Sequence, residues 1–230
     1  AMLANTTGTK CVAIGAYALD ASNADDNTAV GYSAMTSNTT GIRNAALGQS
    51  ALGANTTGTR NTAIGAQALD ASSTASYNTA LGYGCLTETT TGEYNTAVGL
   101  SALLLNTTGG YNTAVGAYAM DASSTSNYNT AVGYQALTAN TSGDELVAIG
   151  NEALATNTTG TQNTAVGYRA LKTNNGSSNT AVGESALVSN TTGNNTVAIG
   201  RDSLDANTTV TGIVEIGVAA LGANTTANYN

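Results

Sequence analysis

Four tyrosines stand seventeen residues apart: Tyr77, Tyr94, Tyr111 and Tyr128. Each comes directly before an asparagine. If the chain repeats in space at this interval, their rings form a column. Tyrosine combines a broad apolar face with a hydroxyl, so such a column is a candidate ligand-binding site for a sugar ring or a protein side chain. The plainer use of the same column is an aromatic ladder that protects an edge of the fold. Tyr32, Tyr83, Tyr134 and Tyr168, each directly after a glycine, form a weaker second set.

Other reactive chemistry is sparse. The 230 residues contain no His, which excludes imidazole acid–base catalysis, His-based triads and His–metal sites. The two cysteines, Cys11 and Cys85, cannot complete a four-thiolate metal site within one chain. Asp20, Asp70, Asp121 and Asp205 are isolated, and the glycine-rich nonapeptide of calcium-binding rolls is missing. No nucleophile–base pair stands out, so the expectation is a protein that is not an enzyme and takes no cofactor or metal. Fourteen acids against six bases give a net charge of −8, which excludes a basic stripe for nucleic acid. Apolar runs such as Ala102 to Leu105 are far too short for membrane insertion. The first residues lack a basic and apolar leader, and the repeat is already running at Asn5, so the chain reads as an internal piece of a longer fibre.

The spacing of the tyrosines belongs to a repeat that fills the chain. An aliphatic-Gly pair recurs thirteen times, from Gly15, Gly31 and Gly48 through to Gly217, at intervals of sixteen or seventeen. The consensus around each marker glycine is Asn-Thr-Ala-Val-Gly-Tyr-x-Ala-Leu, followed by Asn-Thr-Thr-Gly. The place two before the glycine is Ala in twelve of the thirteen units, with Glu215 the exception. The place four after it is always Leu or Met. The two short units each lose one residue near Asn-Thr-Thr-Gly, as a surface turn allows. With no break in the pattern, residues 1–230 read as a single repeat domain.

Seventeen residues cannot hold the two helices of a helical repeat, and β-branched residues beside glycine turns favour a β coil. The expected fold is all-β: a parallel β-solenoid of about thirteen coils of 16–17 residues. At ~4.8 Å per coil its length is roughly 60 Å. Each coil is expected to carry one strand such as Thr28-Ala29-Val30, a second short strand holding the Ala-Leu pair with Leu inward, and a turn at Asn-Thr-Thr-Gly. Asparagines in register are expected to bond up and down the stack through their amides. The Asn-Thr-Thr triplets match glycosylation sequons but read as turn chemistry.

Alternation in the strand puts Thr28 and Val30 on one face and Ala29 on the other. The Thr/Val face is expected inside the coil, because Val replaces Thr in four units. The alanines then face outward. Small apolar residues held in place suggest close contact with another surface, so Ala29, Ala63, Ala80, Ala97, Ala114, Ala131, Ala165 and Ala181 are expected to pack against sister subunits. The plainer alternative puts them at the narrow corners of a monomer.

Cys11-Val12-Ala13-Ile14-Gly15, Leu146-Val147-Ala148-Ile149-Gly150 and Thr196-Val197-Ala198-Ile199-Gly200 resemble the core of YadA-like trimeric autotransporter adhesin heads. The fuller unit Asn129-Thr130-Ala131-Val132-Gly133-Tyr134-Gln135-Ala136-Leu137 is similar to repeats of phage-type tail-fibre proteins. The resemblance implies a left-handed roll, a homotrimer with inner strands facing a common axis, and a location on a bacterial surface or virion tail fibre. The units here are longer than the adhesin's, so none of its ligand contacts carries over. The leading functional expectation is a structural or adhesive fibre segment, with a host glycan or matrix protein as the outside partner. A competing expectation is an ice-binding solenoid. It is disfavoured by adjacent threonines such as Thr39-Thr40, which suit a turn, and by an inward Thr28. A third is head-to-tail stacking into filaments.

Overall fold

The computed structural model describes residues 1–209 and 211–222. Its described strands number thirteen, one per repeat and three residues each: β1 (Val12–Ile14), β2 (Thr28–Val30), β3 (Ala45–Leu47), β4 (Thr62–Ile64), β5 (Thr79–Leu81), β6 (Thr96–Val98), β7 (Thr113–Val115), β8 (Thr130–Val132), β9 (Val147–Ile149), β10 (Thr164–Val166), β11 (Thr180–Val182), β12 (Val197–Ile199) and β13 (Val214–Ile216). The chain divides into two units, Ala1–Asn112 with β1–β6 and Thr113–Asn230 with β7–β13, and each is described by itself. Within each unit consecutive strands pair in parallel and in repeat register. Ala13 lies opposite Ala29 in the first unit, and Ala131 opposite Ala148 in the second. This is the parallel β-solenoid expected from the repeat.

Thr, Val and Ile suit extended backbone, and the marker glycine ends each strand. Gly31 has φ +143°, where a side chain is strained. A Cβ built on it would also lie 2.3 Å from the carbonyl oxygen of Gly48. Backbone hand and close stacking thus both demand glycine here.

The Ala-Leu segment is not the second strand expected. It is a turn in which left-handed residues alternate with ordinary ones, at Tyr17 (φ +61°) and Leu19 (φ +49°) in the first coil. Each such non-glycine residue costs about 1–2 kcal/mol. The conformation persists because it points backbone groups along the stack. The Leu19 N–H donates to the Ala34 carbonyl at 3.1 Å, and the Ser33 N–H to the Ala16 carbonyl at 2.9 Å. The side chain does go inward as expected: Leu19, Met35 and Leu52 are fully buried.

The strand faces are the reverse of the expectation. Ala29, Ala63, Ala80, Ala97, Ala114, Ala131, Ala165 and Ala181 lie inside their own coils at 0 % exposure, so they present no surface to a sister chain. The alanines three places after the marker glycine, such as Ala18 and Ala34, are buried with them. The second surface that holds these residues small is the opposite wall of the same coil. A seventeen-residue winding brings its walls so close that the strand's inward place holds only a methyl in every described coil but the last, where Glu215 stands half-buried. Thr28 and Val30 therefore face out.

Two buried asparagine ladders complete the interior. Asn44, four before its marker glycine, accepts the Asn61 N–H at 2.8 Å through Oδ1 and donates from Nδ2 to the Gly58 carbonyl at 2.8 Å. Asn27, Asn61 and Asn78 repeat this pattern. The amides of this ladder thus bond to backbone in the next coil, where amide-to-amide bonds were expected. The turn ladder does include direct amide contacts, with Asn55 Nδ2 donating to Asn38 Oδ1 at 2.8 Å. Its members also donate to the glycine three residues on, as Asn140 does to the Gly143 carbonyl at 3.0 Å. In the short coil the same bond runs from Asn174 to Gly176, one residue closer, so the missing residue comes out of the turn. The sequon asparagines Asn38, Asn55, Asn140, Asn157 and Asn190 are buried, with their amide nitrogens hydrogen-bonded.

Replacing Asn44 by Ala removes the acceptor of a buried N–H and one donor to a buried carbonyl. Denaturant unfolding is expected to show a loss of about 1–3 kcal/mol. Thr57→Ala, at an exposed turn position, should stay within about 0.5 kcal/mol of the parent.

Candidate functional site: an outward sheet face and a tyrosine column

Turning the alanines inward leaves each unit with an outer sheet face made of two ranks. The place three before the marker glycine supplies Thr28, Thr62 and Thr79 in the first unit and Thr130, Val147 and Thr164 in the second. The place directly before the glycine supplies Val30, Ile64 and Leu81, then Val132, Ile149 and Val166. Parallel register holds each rank in line. Ile64, Leu81 and Ile149 are 38 %, 45 % and 40 % exposed, so a row of large aliphatic side chains meets solvent. An ordered apolar row of this kind is what a soluble surface normally avoids.

The sequence assigned this face to the interior, but one signal in it points outward. The place before the glycine varies freely among Val, Ile and Leu, while the place two before holds Ala. Tolerance of size marks the open side, and intolerance marks the closed one.

The structure brings Tyr77, Tyr94 and Tyr111 into a face-to-face column. The Tyr77 and Tyr94 ring centroids are 4.7 Å apart with planes 6° from parallel, and those of Tyr94 and Tyr111 are 4.9 Å apart at 9°. All three have left-handed backbone with φ near +60°. Tyr128 occupies the same repeat place in the second unit, exposed and with φ +60°. Arg60 was not anticipated, yet it stands in the same place one coil before Tyr77. Its guanidinium lies 5.2 Å from the Tyr77 ring centre, and its Nη1 donates to the Tyr77 hydroxyl at 2.5 Å. Earlier still in this place come Lys10, Asp26 and Arg43, joined by exposed ion pairs of 4.0 and 3.8 Å.

Stacking changes what the column can bind. Both faces of Tyr94 are covered by its neighbours, and the far face of Tyr77 by Arg60, so no sugar ring can lie on them. What reaches solvent is the ring edges and hydroxyls. The Tyr94 phenol is held above its ordinary range, first by burial and then by the neighbouring Tyr77, Tyr111 and Glu93. In the second set, Tyr32 packs edge-on against Tyr17 at 5.7 Å and Tyr134 against Tyr118 at 6.2 Å. Arg169 lies over Tyr168 at 4.9 Å. These tyrosines are individual surface pairs.

Cys85 stands in an alanine place and is buried. Its thiol donates to the Gly99 carbonyl at 2.6 Å, and burial pushes its pKa up, the opposite of an activated thiol. Cys11 stands where an asparagine usually stands, and its thiol donates to the Ala24 carbonyl at 3.2 Å. Among the described residues no three Cys, Asp or Glu side chains come together as a metal site.

The fold and its surfaces define a β-solenoid repeat protein with a ranked outer sheet. No protein-family model, curated protein or solved structure matches the chain. The repeat architecture is therefore what places it among known proteins.

The raised Tyr94 pKa sets a sign for alkaline stability. The unfolded phenol ionises at its ordinary value of 10.0, while the folded one keeps its proton to higher pH. The stabilisation is complete below the unfolded value and is lost as pH rises through the folded one. Phenolate absorbance is expected to lose a late-titrating component in Tyr94→Phe, and the alkaline loss of stability should be shallower in that variant.

Proposed function

We propose that this chain is a structural segment of an extracellular fibre, of the kind seen in trimeric adhesin heads and tail-fibre shafts. It spaces or presents a surface-binding element, and its outside partner is a host glycan or matrix protein. The observation that carries this reading is the outer sheet face, with its unbroken aliphatic rank directly before the marker glycines. Such a rank calls for a cover, and a sister chain carrying the same rank is complementary to it by construction. The resemblance of Leu146-Val147-Ala148-Ile149-Gly150 to adhesin-head cores supports three chains around an axis and a left-handed winding. The subunit contact in this reading is the Thr/Val and Val/Ile/Leu face, in place of the alanines.

Ice binding is a second reading, favoured by one specific observation. Thr28 and Thr62 in the first unit, and Thr130 and Thr164 in the second, face outward along the parallel sheet of their own unit, which removes the argument that they lie inside. Against it, the companion rank is wholly aliphatic and mixes Val, Ile and Leu. Uneven side chains disturb a lattice match but pack well between subunits.

The solution mass of the folded chain separates these readings. A trimer weighs three times 22.7 kDa, about 68 kDa, and this is the expected value. Ile149→Glu should shift the protein towards 22.7 kDa, while Gln135→Glu should leave the trimer intact. A monomeric parent with thermal hysteresis and shaped ice crystals would replace the fibre reading with the second one.

A further inference from the structure

We infer that Tyr77, Tyr94 and Tyr111 form an oxidative cross-linking site, at which a one-electron phenol oxidant joins neighbouring coils through dityrosine. The inference rests on the column alone and is independent of the fibre reading. Phenoxyl radicals couple through their ring carbons, and coupling is efficient only when a second phenol is held close by. Here successive ring centres are 4.7 and 4.9 Å apart, and the three side chains are 39 %, 43 % and 53 % exposed. An oxidant can therefore reach the hydroxyls, and each oxidised ring already has a partner. The rings need only turn from face-to-face to edge-to-edge, a surface side-chain motion that is fast compared with oxidation chemistry.

Each of two phenols loses one electron and one proton to the oxidant, giving two phenoxyl radicals. A new bond forms between one Cε of each ring. The hydrogen on each joined Cε then moves to its own ring oxygen, which restores both phenols. With hydrogen peroxide acting through a haem peroxidase as the oxidant, the two electrons and two protons reduce one peroxide to two waters. The product is a covalent staple between coils that hydrogen bonds and packing otherwise hold together. The edge-on pairs Tyr17–Tyr32 and Tyr118–Tyr134 are near-perpendicular and more distant, at 5.7 and 6.2 Å.

The test treats the dilute folded protein with peroxidase and peroxide, then digests it with a glutamate-specific protease. Cleavage after Glu88 and Glu93 separates Tyr77 from Tyr94. The expected product is the Tyr77 fragment joined to the fragment that begins at Tyr94, two hydrogens lighter than their sum. A Tyr94–Tyr111 link appears as a two-hydrogen loss within the second fragment, located by tandem fragmentation. Blue dityrosine fluorescence should accompany both links and fall on the order of tenfold when the chain is denatured before oxidation. Tyr94→Phe should abolish both links, and Tyr32→Phe should abolish neither. Links centred on Tyr32, Tyr83 or Tyr134, links only between chains, or a yield unchanged in Tyr94→Phe would overturn the inference.

Discussion

The closeness of a coil's two walls governs this structure. A winding of seventeen residues has no room for a conventional hydrophobic core, so the strand's inward place takes a methyl in every described coil but the last, where Glu215 stands. Ala29 and Ala131 are fully buried in that inward place. The larger apolar side chains are thereby divided. Leu and Met at the turn occupy the wider end of the interior, while Val, Ile and Leu of the strand are left outside. The same narrowness explains the buried asparagines. Turn backbone brought this close to the interior must be satisfied locally, and one amide supplies both a donor and an acceptor in the space available. Asn44, which bridges to Asn61 and Gly58, shows the economy of the device.

Stacking in register turns each local choice into a row. A favourable contact between neighbouring coils recurs wherever the residue type recurs, and so does an unfavourable one. This accounts for marker glycines such as Gly31 and Gly133, whose close approach to the next coil's carbonyl leaves no space for a Cβ. It also accounts for left-handed backbone at residues as bulky as Tyr94 and Leu103. Strain that an isolated turn would relax is held in place by hydrogen bonds to the coils on either side. Rows of Thr and aliphatics, and the column of tyrosines, are the outward expression of the same rule.

Much of this was legible in the sequence. The repeat length, the strand-ending glycine, the inward Leu and the turn that absorbs the residue lost near Asn174 all follow from what recurs and what varies. The tyrosine column was legible too, because a fixed interval in sequence becomes a fixed direction in a solenoid. The sense of the strand was not. Alternation in Thr28-Ala29-Val30 defines two faces without saying which is inside, and hydrophobicity favoured the wrong one. Coil width, a property of the closed winding, decides it. The alternating backbone at Tyr17 and Leu19 was equally hidden, since neither residue type announces a left-handed conformation. Arg60 was missed because its chemistry differs from that of Tyr77, although its place in the repeat is the same.

The central claim is that the alanines line a space too narrow for anything larger, while their strand neighbours do not. The most direct measurement compares unfolding free energies of Ala131→Leu and Val132→Leu, which put the same side chain at adjacent positions of β8. Overpacking a filled site costs about 1–3 kcal/mol or more, and Ala131→Leu is expected to lose at least that much. Val132→Leu should be close to neutral, since Leu47 and Leu81 occupy the equivalent place in other coils. The opposite order, with leucine tolerated at 131 and disruptive at 132, would contradict the account.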